Sequence, residues 1–135
     1  MPPKLMQAVY YRSPDGSEPV DDFIDGLSDR DQVLLDSQIE RLNQLTTTDP
    51  PLPFDYSSQV VGELRELRCH CGSAQYRVLY RRSRNLFILL HMFRKKTDAI
   101  SPEEIARAQE RWEDFRARMD TPHRRSPRAG GHRAP

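Results

Sequence analysis

The spacing of apolar residues changes part-way along the chain, and this change most constrains the fold. Over residues 19–27 and 28–45, apolar residues recur every three or four positions, which predicts two helices. Over residues 60–68, 74–82 and 86–94 the spacing falls toward two, which predicts three strands. Amphipathic helices and adjacent strands bury their apolar sides by packing as a helical layer on a sheet.

Two further elements complete the predicted fold. Residues 6–12 contain a short β-favouring run and predict a first strand. Ser101, followed by Pro102 and two acidic residues, predicts the start of a last helix whose apolar stripe runs to Met119. The predicted order is β-α-α-β-β-β-α. This is an α+β fold with a small, mostly antiparallel sheet, two N-terminal helices on one face, and the C-terminal helix over an edge or end.

The length of 135 residues suits one domain, predicted to span residues 1–119. Residues 120–135 are rich in Pro, Gly and Arg, and are predicted to form a disordered basic tail. No apolar run approaches the roughly 20 residues of a membrane span, so no membrane partner is expected. Cys69 and Cys71 lie two apart on a predicted strand and are poorly placed to bridge, which favours a reducing, cytoplasmic location.

Basic residues are concentrated in the strand-forming block. Residues 62–96 carry nine Lys or Arg and two acidic residues, whereas residues 1–61 carry four basic and eleven acidic residues. Although the net charge of the whole chain is only +1, the basic residues are concentrated in one block and predict one cationic surface. Because these basic residues are interleaved with apolar ones at strand spacing, a sheet would hold them in fixed directions. Such a surface is suited to the phosphates of nucleic acid.

Three motifs within and just beyond this block resemble one known family. They are residues 63–68 (ELRELR), residues 75–81 (QYRVLYR) and residues 89–97 (LLHMFRKKT). Together with the proline-initiated helix that follows, they resemble the RelE-like superfamily of toxins from type II toxin–antitoxin pairs. The resemblance is greatest to the phage-derived, HigB-like branch.

The resemblance implies a small α+β ribonuclease that cuts messenger RNA, usually on the ribosome. It also implies a cognate antitoxin that silences the toxin, here expected to be a helix-turn-helix protein. The ribose 2′-hydroxyl would attack the adjacent phosphorus, and basic side chains would stabilise the developing charge. No cofactor or metal ion is expected, because these side chains would supply the positive charge.

Site residues follow from the positions of the motifs. Arg77 matches the phosphate-stabilising arginine of the family, and its guanidinium is expected to face the surface. Lys96, or its neighbour Lys95, matches the basic residue after the last strand. Arg65 and Arg68 fall where relatives place basic residues on the preceding strand. Further RNA contacts are predicted at Lys95, Arg94, Phe93 and Arg82.

The group that moves the proton is less well defined. Some relatives carry a tyrosine early in the last helix, and this chain has none there. His91 is the first candidate because its ordinary pKa is near neutrality, and Glu63 or Glu66 is the second. If His91 belongs to the site, it shares a sheet face with Arg77. In the hairpin of residues 74–82 and 86–94, the numbers of two directly opposed residues have a constant sum, and opposed residues share a face. Arg77 and His91 share a face only if this sum is even, near 168.

Each assignment has a structural alternative. Arg82 lies beside a hairpin turn and would be solvated there, and lysines such as Lys95 and Lys96 often protect strand edges. His91 could be a hydrogen-bonded core histidine. Residues 69–71 (CHC) lack the second ligand pair of a zinc site. The whole chain could also be a non-catalytic module of the same fold, a phage-derived regulator that binds RNA or protein.

Overall fold

A computed structural model of the protein describes residues 2–120 and 126–131. It contains five strands and three helices. In chain order these are β1 (Gln7–Tyr10), α1 (Pro19–Asp25), α2 (Asp29–Asn43), β2 (Ser57–Val61), β3 (Leu64–Cys71), β4 (Ala74–Ser83), β5 (Leu86–Arg94) and α3 (Pro102–Met119). Within the described ranges, no helix combines the length and apolarity needed to span a bilayer.

The predicted α+β class is confirmed, with one strand more than predicted. The segment 60–68 was expected to be one strand, but β2 ends at Val61 and β3 begins at Leu64. Gly62 lies between them with a φ of +55°, a left-handed conformation that glycine adopts without steric cost. The glycine therefore reverses the chain, and the element order becomes β-α-α-β-β-β-β-α.

The strands form one mixed sheet in the order β1-β5-β4-β3-β2. β1 pairs with β5 in parallel, and the other neighbours are antiparallel. Helices α1 and α2 pack on one face, where Ile24 and Leu35 belong to the same core as Val78. Helix α3 was expected at an edge or end of the sheet. It instead covers the opposite face, where Trp112 packs in a second core with Leu79.

Part of the predicted disordered tail is ordered. Residues 126–131 lie along the free edge of β1, whereas residues 121–125 and 132–135 are outside the described part of the chain. The Tyr10 amide donates to the Arg128 carbonyl (2.8 Å), and the Gly130 amide donates to the Ala8 carbonyl (2.8 Å). Composition does not reveal this order, because backbone pairing at a sheet edge needs no apolar side chains.

Charge also holds the tail in place. The Arg128 guanidinium contacts Glu18 at 3.0 Å and Asp21 at 2.6 Å, so a basic tail residue pairs with the acidic first half of the chain. The side chain of Asn43 completes the edge. It accepts from the Ala8 amide (2.6 Å) and donates to the Gly130 carbonyl (3.0 Å). Asn43 thus connects α2, β1 and the tail.

Asn43→Ala should lower the free energy of unfolding by about 2 kcal/mol. The substitution leaves the Ala8 amide without its acceptor, and an unpaired buried donor costs about 1–3 kcal/mol. Chemical denaturation measures the effect, with Gln44→Ala as the control because Gln44 is exposed and adjacent. Equal midpoints for the two variants would show that Asn43 does not hold this edge.

Candidate functional site

The α3 side of strands β3, β4 and β5 presents a grid of side chains at the end where β5 finishes. Paired residues on the three strands lie side by side, and alternate residues share a face. Lys95 extends β5 by one residue, because its amide donates to the Gln75 carbonyl (2.8 Å). The grid has three rows, which are Glu66–Leu79–His91, then Arg68–Arg77–Phe93, then His70–Gln75–Lys95. We call the second of these the arginine row.

The predicted common face of Arg77 and His91 is confirmed. Arg77 pairs with Phe93 and Leu79 pairs with His91, so the paired positions sum to 170 in this part of the hairpin. Nearer the turn the register changes, and Tyr80 pairs with Leu89. The extra residue in β5 forms a β-bulge, which turns His91 to the same side as Arg77.

Arg77 is buried, with only 2% of its surface exposed, so the expectation of a surface-facing guanidinium is wrong. Its Nη1 donates to the Tyr76 carbonyl (3.1 Å), and its Nη2 donates to Gln75 Oε1 (3.4 Å). Its Nε lies 3.7 Å from a Glu66 carboxylate oxygen. Burial lowers the pKa of Arg77, and Glu66 opposes this shift. A guanidinium remains charged under such conditions, so Arg77 is a buried cation.

The carboxylate of Glu66, in the neighbouring row, faces both Arg68 and Arg77. One of its carboxylate oxygens accepts from Arg68 Nε (3.0 Å) and from the Ser58 hydroxyl (2.9 Å), and the other faces Arg77. Glu66 is itself buried. A carboxylate held by these groups positions the arginines and is poorly placed to accept a proton from a substrate. Glu63, the other acidic candidate, lies in the β2–β3 turn and pairs with Arg81 (2.7 Å).

Four predicted site residues are outside the grid. Lys96 lies beyond the end of β5, and Arg65, Arg82 and Arg94 belong to the opposite face of the sheet, where Arg94 pairs with Tyr76. Arg65 precedes Glu66 by one position, so it projects from the opposite face of the sheet, where its Nε donates to the Ser57 hydroxyl (3.2 Å). Arg82 also lies on that face and donates to the carbonyl oxygens of Arg84 (2.8 Å) and Thr47 (3.0 Å). The alternation of side chains along a strand therefore separates both arginines from Arg77.

His91 is held at both ring nitrogens by α3. Arg111 Nη1 lies 3.0 Å from Nδ1, and because arginine can only donate, Nδ1 must be the acceptor. The proton is then on Nε2, which donates to Glu104 Oε2 (2.6 Å). Neither nitrogen is available to a substrate. His91 is therefore better suited to orienting Glu104 than to the predicted role of general base.

His91→Gln should keep the fold and make stability less sensitive to acid. Burial lowers the pKa of His91, Arg111 and Arg107 add to the shift, and Glu104 opposes it. The unfolded chain then binds the proton more readily, so stability falls as pH drops below about 6.5. Glutamine does not titrate, yet its amide can donate to Glu104 and accept from Arg111.

Denaturation at about pH 7.5 and about pH 5.5 tests this prediction. Wild type should lose more stability between the two values than His91→Gln does. His70→Gln serves as the control, because His70 is an exposed histidine on the same face of the sheet. If the wild type and His91→Gln lose the same amount, His91 is not held as a neutral ring.

An open cleft of about 500 Å³ adjoins the arginine row where β5 ends and α3 begins. Its lining includes Phe93, Lys95, Lys96, Glu104 and the predicted contact residue Arg94. Lys96 and Arg94 are exposed. Phe93 belongs both to the arginine row and to the lining of the cleft, so it connects the row with the two lysines.

Glu104 lines the cleft, and the sequence did not single it out. Its carboxylate is 30% exposed, lines the cleft and accepts from His91. The only signal was the spacing Ser101-x-x-Glu104, which indicates the capping box of a helix start. The structure departs from that pattern, because Ser101 makes no side-chain capping bond and Glu104 bonds to β5 instead.

The CHC segment does not gather metal ligands. Cys69 and Cys71 are buried toward α1 and α2, whereas His70 between them is exposed on the other face. Burial raises the pKa of the Cys69 thiol. Among residues 2–120 and 126–131, no group of three or more His, Cys, Asp or Glu side chains is arranged to hold a metal ion.

Residues 22–113 match the family described as phage derived protein Gp49-like (DUF891). The chain belongs to this family. Gp49-like proteins are toxin-like proteins of the RelE and HigB type, so the resemblance to RelE-like toxins holds at family level. The HigB-like branch stays a prediction. No curated protein matches the chain.

Proposed function

We propose that this Gp49-like protein is the toxin of a type II toxin–antitoxin pair and cleaves messenger RNA. The arginine row is the observation that carries the proposal. Two guanidinium groups on neighbouring strands, Arg68 and Arg77, share a row with Phe93, and Phe93 lines a cleft together with two lysines and a carboxylate. Guanidinium groups suit phosphate because they present planar pairs of donors.

The scissile phosphate would bind over the arginine row. Arg77 Nη2 now donates a long hydrogen bond of 3.4 Å to the side-chain oxygen of Gln75, and Gln75 is an exposed residue. Its side chain can therefore swing aside and let a phosphoryl oxygen take its place. Glu66 keeps both arginines in position during this exchange. Arg77 then stabilises the charge that develops on the phosphoryl oxygens.

Proton transfer would use the cleft. Glu104 accepts the proton of the 2′-hydroxyl, and the 2′-oxygen forms a bond to phosphorus. The bond from phosphorus to the 5′-oxygen breaks, and Lys96 or Lys95 donates the proton that this oxygen needs. The products are a 2′,3′-cyclic phosphate and a 5′-hydroxyl. His91 holds the Glu104 carboxylate in place through its Nε2 proton.

Induced expression tests the proposal. Growth should stop, transcripts should be cut, and co-expression of a neighbouring helix-turn-helix protein should restore growth. In vitro, cleavage on translating ribosomes should continue in the presence of a chelator, because lysine and arginine supply the positive charge. A harmless wild type that leaves transcripts intact would contradict the proposal, as would activity that depends on an added divalent ion.

A second candidate function is a non-catalytic RNA- or protein-binding module of the same fold. The burial of Arg77 favours it, since a group that is only 2% exposed must be uncovered before it can touch a substrate. A binding module would retain RNA or protein without cutting it, and substitutions of Arg77 would then leave growth unchanged. For either function we propose a cytoplasmic location.

A further inference from the structure

Phe54 is an exposed aromatic residue in a well-held turn. It lies between α2 and β2, and 67% of its surface is exposed. The amides of Tyr56 and Ser57 both donate to the Pro53 carbonyl, at 2.9 and 3.0 Å, and this closes the turn around Phe54. The Arg68 amide donates to the Tyr56 carbonyl (2.8 Å), which ties the turn to β3. The ring is thus presented to solvent from a fixed backbone.

The ring of Phe54 lies against the arginine row. The Arg68 guanidinium carbon is 4.1 Å from the ring centroid. Arg68 is fixed from its other side, where Nε donates to Glu66 (3.0 Å) and Nη2 lies 3.4 Å from the Ser58 hydroxyl. One face of the ring therefore rests on a positioned cation, and the exposed surface of the ring is left for another planar group.

From this arrangement, we infer that Phe54 and Arg68 form a stacking subsite for a nucleobase of single-stranded RNA. The inference rests on the proposed function and extends it. Aromatic rings and guanidinium planes are the groups on which unpaired bases stack. The subsite lies at the β3 end of the arginine row, and Phe93 lies at the β5 end. An RNA whose phosphate sits over Arg77 would place one base on each side.

The charge around Phe54 favours RNA over a protein partner. Apolar protein interfaces need a contiguous patch of apolar surface. In the chain, Phe54 stands between exposed Pro53 and exposed Asp55. Its ring lies against the Arg68 guanidinium, and the next residue along the row is the second arginine, Arg77. Leu5, which is similarly exposed at 68%, lies beside β1 at the far edge of the sheet and offers a control position.

The experiment measures binding separately from cleavage. The probe is a short single-stranded 2′-O-methyl RNA, which lacks the attacking hydroxyl and cannot be cut. Phe54→Leu keeps an apolar side chain but removes the ring, and should weaken binding about tenfold, the scale of one base–aromatic stack. Phe54→Trp should bind as tightly as wild type, and its fluorescence should be quenched by the RNA. Leu5→Ala should bind as wild type does.

The outcomes separate this inference from the proposed function. A wild type that binds the probe through Phe54 but cuts no RNA supports the subsite and contradicts the nuclease. Cleavage by wild type with equal probe binding by Phe54→Leu overturns the subsite alone. The subsite is also overturned if wild type binds no probe. It is overturned too if Phe54→Leu binds the probe as wild type does but no longer binds the antitoxin, because the ring then serves a protein interface.

Discussion

Arg77→Ala is expected to reduce the rate of RNA cleavage by about a hundredfold or more. The substitution removes the guanidinium that would stabilise the phosphoryl oxygens, and loss of one such group costs about 10²–10³ in rate. It should also lower the free energy of unfolding by about 2 kcal/mol, because it removes a buried donor to the Tyr76 carbonyl and one of the two cations that face Glu66. The protein must therefore be assayed well below its unfolding midpoint.

Arg77→Lys separates the two effects. A lysine keeps a cation opposite Glu66 and should recover much of the stability. Activity should recover only in part, because an ammonium group cannot reproduce the two-pronged contact with phosphate. Arg84→Ala is the control, since Arg84 lies in the β4–β5 turn, away from the arginine row. A folded Arg77→Ala protein that stops growth as wild type does would show that the site lies elsewhere.

The fold could be predicted from the sequence wherever local signals decide the structure. The pattern over residues 86–94 predicted the limits of β5, and Ser28 caps α2 by accepting from the Asp31 amide (3.2 Å), as its position suggests. The reversal at Gly62 was missed because β2 and β3 have the same two-residue spacing. The face covered by α3 depends on tertiary packing, which local signals do not determine.

The sheet faces of Arg77 and His91 show how tertiary structure overrides a local rule. The connection between Ser83 and Leu86 is a two-residue turn, and this register alone would place Arg77 and His91 on opposite faces. The bulge in β5 adds one residue and reverses the outcome. Nothing in the apolar run 86–90 marks the bulge. The shared face was the condition for placing His91 in the predicted site, and it is met through the bulge, since the two-residue turn alone would not have met it.

The chemistry of the site was predictable only by residue type. The motifs indicated Arg68, Arg77 and the lysines by residue type, and the pairing of β3 with β4 puts the two arginines side by side. The burial of Arg77 depends on the side chains that surround it, Glu66 and Gln75 among them, and such packing leaves no periodic signal. The contact between Glu104 and His91 depends on the distance between α3 and β5, which only the folded chain fixes.

Glu104→Gln should reduce cleavage about a hundredfold or more while leaving the fold intact. A positioned general base contributes about 10²–10⁴ in rate, and an amide cannot accept the proton of the 2′-hydroxyl. The amide oxygen can still accept from His91 Nε2, so the contact between α3 and β5 is retained. Single-turnover cleavage of a short RNA measures the loss, and the thermal midpoint checks the fold.

Glu103→Gln provides the matched control for this prediction. Glu103 precedes Glu104 in the first turn of α3, is exposed, and does not line the cleft. Both substitutions remove one negative charge from the same helix end, so a general electrostatic effect on RNA binding would appear equally in the two variants. A loss confined to Glu104→Gln assigns proton transfer to that carboxylate. Full activity in Glu104→Gln, with Arg77→Ala inactive, would leave the arginine row as the catalytic centre and require a different base.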